Sequence, residues 1–151
     1  MFTVVLHEPE IPPNTGNLMR LTVNTGCSLH LVRPLGFDLD DARMRRAGLD
    51  YREFADVARH PSLEAFREAV GNPRLFGLTT RANRSYADAE FREGDALMFG
   101  PETRGLPDAV LAALGLVIRR IPKIRWLGMG LLVVAAVASF AVANMAGSER
   151  R

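Results

Sequence analysis

Lysine is almost missing from this chain: Lys123 is the only one among 19 basic residues. Cysteine is as scarce, with Cys27 alone, which excludes an intrachain disulfide and any cysteine-based metal cluster. Cys27 lies in Thr25-Gly26-Cys27-Ser28 ahead of an apolar run, and it reads as a buried structural thiol. The three histidines, His7, His30 and His60, are scattered without ligand spacing, so they read as structural and no metal is expected. A strong charge imbalance is also lacking, since the formal net charge is +2 although the sequence pI is about 9.2. Arginine suits phosphate recognition through its planar fork of donors. An arginine-rich, lysine-poor composition also follows from a GC-rich genome, so composition permits a nucleic-acid partner without demanding one. The N-terminal Met1-Phe2-Thr3-Val4-Val5-Leu6-His7 has no basic region and no long apolar region, so no signal peptide is expected. A cytoplasmic location follows as the expectation.

What is present suits one globular domain. The 151 residues include 48% hydrophobic and 24% charged side chains, enough to bury a core. No repeat or low-complexity linker divides the chain. Thr3–His7 is a short apolar run ended by Glu8-Pro9-Glu10-Ile11-Pro12-Pro13, and it reads as a buried strand. Asn14 to Asn24 reads as a helix stopped by Gly26, with Leu29–Val32 as the next strand. Asp40–Arg46 and Leu49–Phe54 suggest two short helices, and Ala55–Arg59 a strand. Ser62 is placed to cap a helix over Leu63–Ala69. Arg74–Thr80, Asp95–Gly100 and Val117–Ile121 read as strands, with a helix over Leu106–Leu114 carrying Pro107 in its first turn. Apolar strands alternating with helices predict an α/β fold, a parallel sheet flanked by helices on both faces. Ligands of such sheets gather at the carboxyl ends of the strands.

Two loops there invite chemistry. The first, Pro12-Pro13-Asn14-Thr15-Gly16-Asn17, leads into Leu18-Met19-Arg20. Asn14 is a candidate cap, and Asn17 and Arg20, three apart, become neighbours on a helix near its positive end. Taken alone, that arrangement suits an ordinary cap beside a solvated arginine better than it does an anion site, although it fits both. The second, Phe99-Gly100-Pro101-Glu102-Thr103-Arg104-Gly105-Leu106-Pro107, is fixed by two glycines and two prolines. It fits a loop that surrounds a cofactor with backbone groups, and equally a tight turn with a surface ion pair.

The segment Glu8-Pro9-Glu10-Ile11-Pro12-Pro13-Asn14-Thr15-Gly16-Asn17 with Arg20 resembles the first motif of the SPOUT methyltransferases of wobble-nucleotide type. Arg45-Arg46-Ala47-Gly48-Leu49-Asp50-Tyr51 and Leu97 through Pro107 resemble the same subfamily, and the likeness runs from Met1 to about Pro122. The resemblance implies methyl transfer from S-adenosylmethionine to a ribose 2′-hydroxyl of tRNA, by a homodimer, at a cytidine or uridine in the wobble position. It also implies a sheet closed by a C-terminal trefoil knot, one of the rare exceptions to unknotted chains. By position, Leu78, Gly100 and Ile121 would line the cofactor pocket, with Glu102, Gly105 and Leu106 in its loop. Arg20 would be catalytic, and Asn14, Asn17 and Arg104 would shape the site or hold RNA.

A guanidinium stays protonated in almost any protein site. The resemblance therefore suits Arg20 as a stabiliser of the developing ribose oxyanion better than as a general base. Unpaired anticodon-loop bases are the expected RNA target. Arg43, Arg45, Arg46, Arg81 and Arg84 are candidates for holding RNA, although a solvated charged face explains each equally.

The likeness ends near Pro122, so residues 1–122 are expected to form the transferase-like domain and 123–151 an atypical hydrophobic segment. The subfamily has a serine- and asparagine-rich stretch there, then a helix with a tyrosine. This chain has neither, and Leu127 to Gly147 carries no charged side chain. About 20 such residues are long enough to span a bilayer. A frame-altered tail, a divergent packed helix and a membrane anchor all fit. With the closing segment replaced, a non-catalytic RNA-binding or dimerisation remnant and a tail-anchored membrane protein stand as rivals to the enzyme.

Overall fold

The computed structural model describes residues 1–37, 57–114 and 116–119. Its strands are β1 (Thr3–His7), β2 (Ser28–Val32), β3 (Ala58–His60), β4 (Leu75–Thr79), β5 (Ala96–Phe99) and β6 (Leu116–Arg119). They form one sheet in the order β3-β2-β1-β5-β4-β6, and every pairing is parallel. Among the described residues three α-helices lie between them, α1 (Pro12–Thr25), α2 (Leu63–Val70) and α3 (Asp108–Leu114), with a short 3-10 turn at Tyr86–Asp88.

All five residues of β1 are buried, as a central strand covered on both faces requires. Alternation along the strand splits its side chains between two cores. Val4 and Leu6 pack with Leu18 and Met19 of α1, together with Leu29, Leu31, Leu97 and Phe99. Val5 faces the other way, joining Val32, Met98, Phe66 of α2, Leu114 of α3 and Leu106 just ahead of it. The two-faced parallel sheet expected from the apolar runs is therefore present.

Several boundaries differ from expectation for identifiable reasons. α1 starts at Pro12, not Asn14: Ile11 is its cap in extended conformation, and no side chain caps it. Prolines at its first two positions start the helix without loss, because those N–H groups have no helical partner anyway. Gly26 ends it with φ of 67°. Ser62 caps α2 as read, its Oγ accepting from the Ala65 amide at 3.2 Å. α3 begins at Asp108, two residues later than expected, because Leu106 is drawn into the core with 1% exposure. The strand expected over Ala55–Arg59 is Ala58–His60. The helices expected over Asp40–Arg46 and Leu49–Phe54, the end of the last strand at Ile121, and the segment 123–151 lie outside the described residues.

Two of the scattered histidines meet. His30 Nδ1 and His60 Nε2 are 2.9 Å apart, their rings lie 14° from parallel, and both stand edge-on to Phe66. Burial pushes both imidazoles down, and the neighbouring His60 adds to the effect on His30, which falls to about 4. Cys27 is half-buried, a less enclosed thiol than its apolar neighbourhood suggested.

Candidate active site

Strand order places the site. The chain leaves β1 through α1 toward β2, whereas it leaves β5 through α3 toward β6 on the other side. β1 and β5 are neighbours, with Leu6 opposite Phe99, so their connections part company between Glu8 and Gly100. This is the topological switch point, where parallel sheets open a crevice at their carboxyl edge.

The loop after β5 folds back on itself there. A side chain on Gly100 would collide with the Gly105 carbonyl carbon and the Leu106 amide nitrogen, so only glycine fits. The Gly105 amide donates to the Pro101 carbonyl at 2.8 Å, which closes the turn. The loop and the end of β4 enclose a cavity of about 170 Å³ lined by Leu78, Thr79, Thr80, Arg81, Phe99, Gly100, Pro101, Glu102, Thr103, Arg104 and Gly105. Its walls are mixed: Leu78, Phe99 and Pro101 are apolar, while threonine hydroxyls and loop amides add donors and acceptors. That mixture fits a nucleoside, which has an apolar ring face and a polar rim.

Polar contacts lace this loop to the loop after β1. The Glu102 carboxylate accepts from the Glu10 backbone amide at 2.7 Å and from Asn14 Nδ2 at 3.2 Å. In return, Glu10 Oε2 accepts from the Thr103 amide at 3.1 Å and from the Thr103 hydroxyl at 2.7 Å. Those two donors, the hydroxyl foremost, hold the Glu10 carboxyl below its ordinary range. Arg104 donates to Glu8 Oε2 at 2.6 Å, and Glu8 has a left-handed backbone with φ of 50°. A non-glycine residue in that region is uncommon and costs about 1–2 kcal/mol. Beside it His7 is buried at the end of β1; burial lowers its pKa, and its Nδ1 has no hydrogen-bond partner among the described residues.

The expected site residues thus fall into groups. Leu78, Gly100, Glu102, Arg104 and Gly105 line the cavity. Leu106 lies beneath the loop in the core, and Arg81 Nη2 donates to its carbonyl at 3.2 Å. Asn14, read as a cap, instead reaches across to Glu102. Asn17 and Arg20 are neighbours as their spacing implied, with Arg20 Nη1 3.5 Å from Asn17 Oδ1. Both are on the exposed side of α1 in its second and third turns. Neither is among the residues lining the cavity. Ile121, Arg43, Arg45 and Arg46 lie outside the described residues. Thr79, Thr80 and Thr103 also line the cavity, Thr79 as the last residue of β4 and Thr80 directly after it at the same carboxyl edge. Glu8 and Glu10 lie within the first motif, and no spacing in the sequence points to their partners on the other loop.

A parallel sheet with a glycine-walled crevice at its switch point defines an α/β protein whose ligand site lies at the carboxyl edge of the strands. The chain belongs to the SpoU rRNA Methylase family, which matches residues 1–125. More particularly, it is 54% identical over 125 residues to the tRNA (cytidine(34)-2′-O)-methyltransferase of Aeromonas hydrophila, covering 82% of this chain and 80% of that protein. The Escherichia coli K12 protein of the same name is 56% identical over 114 residues, covering 76% of this chain and 73% of that protein. A solved structure described as structural insights into the 2-OH methylation of C/U34 on tRNA superposes with a TM-score of 0.82, at 43% identity and 97% coverage of both chains.

Proposed function

We propose that the chain transfers a methyl group from S-adenosylmethionine to the ribose 2′-hydroxyl of the wobble cytidine or uridine in the tRNA anticodon loop. The observation that carries this is the hydrogen bonding of the two motif loops, 8–17 and 97–107, at the switch point, where the second of them walls the cavity. More than half identity to proteins named for that reaction supports it.

The nucleoside of the methyl donor suits the slot between the end of β4 and the Gly100–Gly105 turn. Bound there, the sulfonium supplies an electrophilic methyl group. The protein's share is to hold the ribose hydroxyl in line and to stabilise negative charge as its proton leaves to solvent. Arg20 carries that charge stabilisation, while Asn17 limits its rotamers and Asn14 sets the position of Glu102. Arg104, Arg45 and Arg46 contribute to holding RNA phosphates, and no metal takes part.

Residues 1–122 act as the transferase domain in this reading, in a cytoplasmic homodimer, with 123–151 as a distinct segment. No helix among the described residues is long and apolar enough to cross a membrane. Membrane fractionation with and without residues 123–151 tests whether that segment anchors the chain.

Titration calorimetry with S-adenosylmethionine, followed by mass-spectrometric mapping of methylated tRNA, tests the function. Saturable binding and a methyl group on the wobble ribose are expected. No heat at millimolar ligand would leave an RNA-binding remnant as the better reading.

A further inference from the structure

We infer that Glu10 is a positioning residue for methyl transfer: by taking both donors of Thr103 it sets the shape of the cofactor loop and couples that loop to helix α1. The inference rests on the methyl-transfer reading.

Glu10 is gripped from three sides. Its backbone amide is held by Glu102 at 2.7 Å, and its carboxylate takes the Thr103 amide and hydroxyl at 3.1 and 2.7 Å. Behind it, a side chain on Gly36 would come within 2.8 Å of the Glu10 Cα, and the Gly36 amide donates to the Pro9 carbonyl at 2.9 Å. The connections after β2, β1 and β5 therefore converge on this one residue. Glu102 and Thr103 line the cavity, and α1 begins two residues after Glu10. A change in the Gly100–Gly105 turn thus reaches the helix that carries Asn14, Asn17 and Arg20 by way of Glu10, alongside the direct bond from Asn14 to Glu102.

The exchange is reciprocal: each glutamate uses its carboxylate on the opposite loop. An amide N–H and a hydroxyl aimed at one carboxylate oxygen fix both the backbone and the side-chain rotamer of Thr103. Charge-assisted bonds of this kind are stronger than neutral ones. An isolated ion pair at an exposed rim would carry less geometric information.

The test uses the full-length chain, with S-adenosylmethionine and substrate tRNA as ligands. Glu10→Ala should weaken S-adenosylmethionine binding at least about tenfold, as expected when two charge-assisted bonds ordering a binding loop are lost. Hydrogen exchange at the Thr103 amide should accelerate while β5 core amides stay protected. Glu10→Gln, whose carbonyl oxygen can accept both donors, should recover most of the affinity. Thr103→Val should weaken binding alone and add little in the Glu10→Ala background, since both remove one interaction. Glu10→Ala with unchanged affinity and unchanged Thr103 exchange would overturn the inference, as would strictly additive losses. If Glu10→Ala fails to fold, Thr103→Val against Thr103→Ser decides it: equal affinities for those two would count against the coupling. A wild-type chain that binds no S-adenosylmethionine would overturn the methyl-transfer reading and the coupling together, whereas wild-type binding with an indifferent Glu10→Ala overturns the coupling alone.

Discussion

Gly100 has almost no freedom to change, because the atoms its Cβ would strike belong to backbone, which cannot rotate aside as a side chain would. Gly100→Ala should therefore push the Gly105–Leu106 peptide outward. We expect a stability loss of about 1–3 kcal/mol in urea unfolding, as for overpacked sites, and S-adenosylmethionine binding lowered more than about tenfold by calorimetry. Arg20 calls for the opposite outcome. It is exposed on α1 and lines no part of the cavity wall, so Arg20→Ala should leave the methyl donor's affinity intact. The same change should lower kcat on tRNA by about 100-fold or more, the usual cost of losing one oxyanion-stabilising group. Arg20→Lys separates two roles: near-normal turnover would exclude a bidentate guanidinium contact.

Among the elements, α1 and α2 show how differently two helices can be secured. α2 has its Ser62 cap and packs Phe66, fully buried, edge-on against the two histidines that project from the sheet. Ser62→Ala should cost about 1 kcal/mol, measurable as a lowered urea midpoint. α1 has no side-chain cap and is held instead by Leu18 and Met19, each 2% exposed, and by Asn14 reaching to Glu102. Leu18→Ala should accordingly cost about 2–5 kcal/mol. Val23, apolar and in the same helix, is 76% exposed, so the apolar residues of α1 do not all face the core.

These elements also show what a sequence discloses. The strands were legible because continuous apolar runs such as Thr3–His7 and Leu75–Thr79 can only be buried on both faces. The Asn17–Arg20 contact was legible because helical spacing is local. The clasp was not: Glu10 and Thr103 lie 93 positions apart, and nothing near either residue names its partner. Asn14 was misread as a cap for the same reason, since its acceptor belongs to a loop 88 residues away. Glu8, Glu10 and the first motif were recognisable as kin to a family, but kinship named the loop without saying what held it.

Across the whole molecule, the histidines make stability depend on pH in one direction. Burial lowers His7, His30 and His60 in the folded state, with His30 falling to about 4. The unfolded chain titrates them near about 6.5, so below that value it takes up protons the folded chain refuses. The stabilisation is therefore complete above about pH 6.5 and is lost as the pH falls toward 4, where His30 itself becomes charged. Urea midpoints should be level from pH 8 to 7 and decline steadily from 6.5 to 4.5. A constant midpoint over that lower interval would show that the pair is solvated in solution.

The clasp also bears on how the molecule comes into being. Its contacts join residues 88 to 96 positions apart, and β1 pairs with β5 rather than with β4, the strand made before it. Closing so long a segment is entropically costly and slow to be rewarded, so these contacts form late. During synthesis the first strand emerges long before Thr103 and Arg104 do, and until then Glu8 and Glu10 have nothing to hold. A ribosome-bound chain halted near residue 90 should resist proteases poorly at residues 8–17, and one extended past α3 should resist them well. The site is thus among the last parts of the domain to exist, and a growing chain cannot engage its substrate before the sheet is nearly complete.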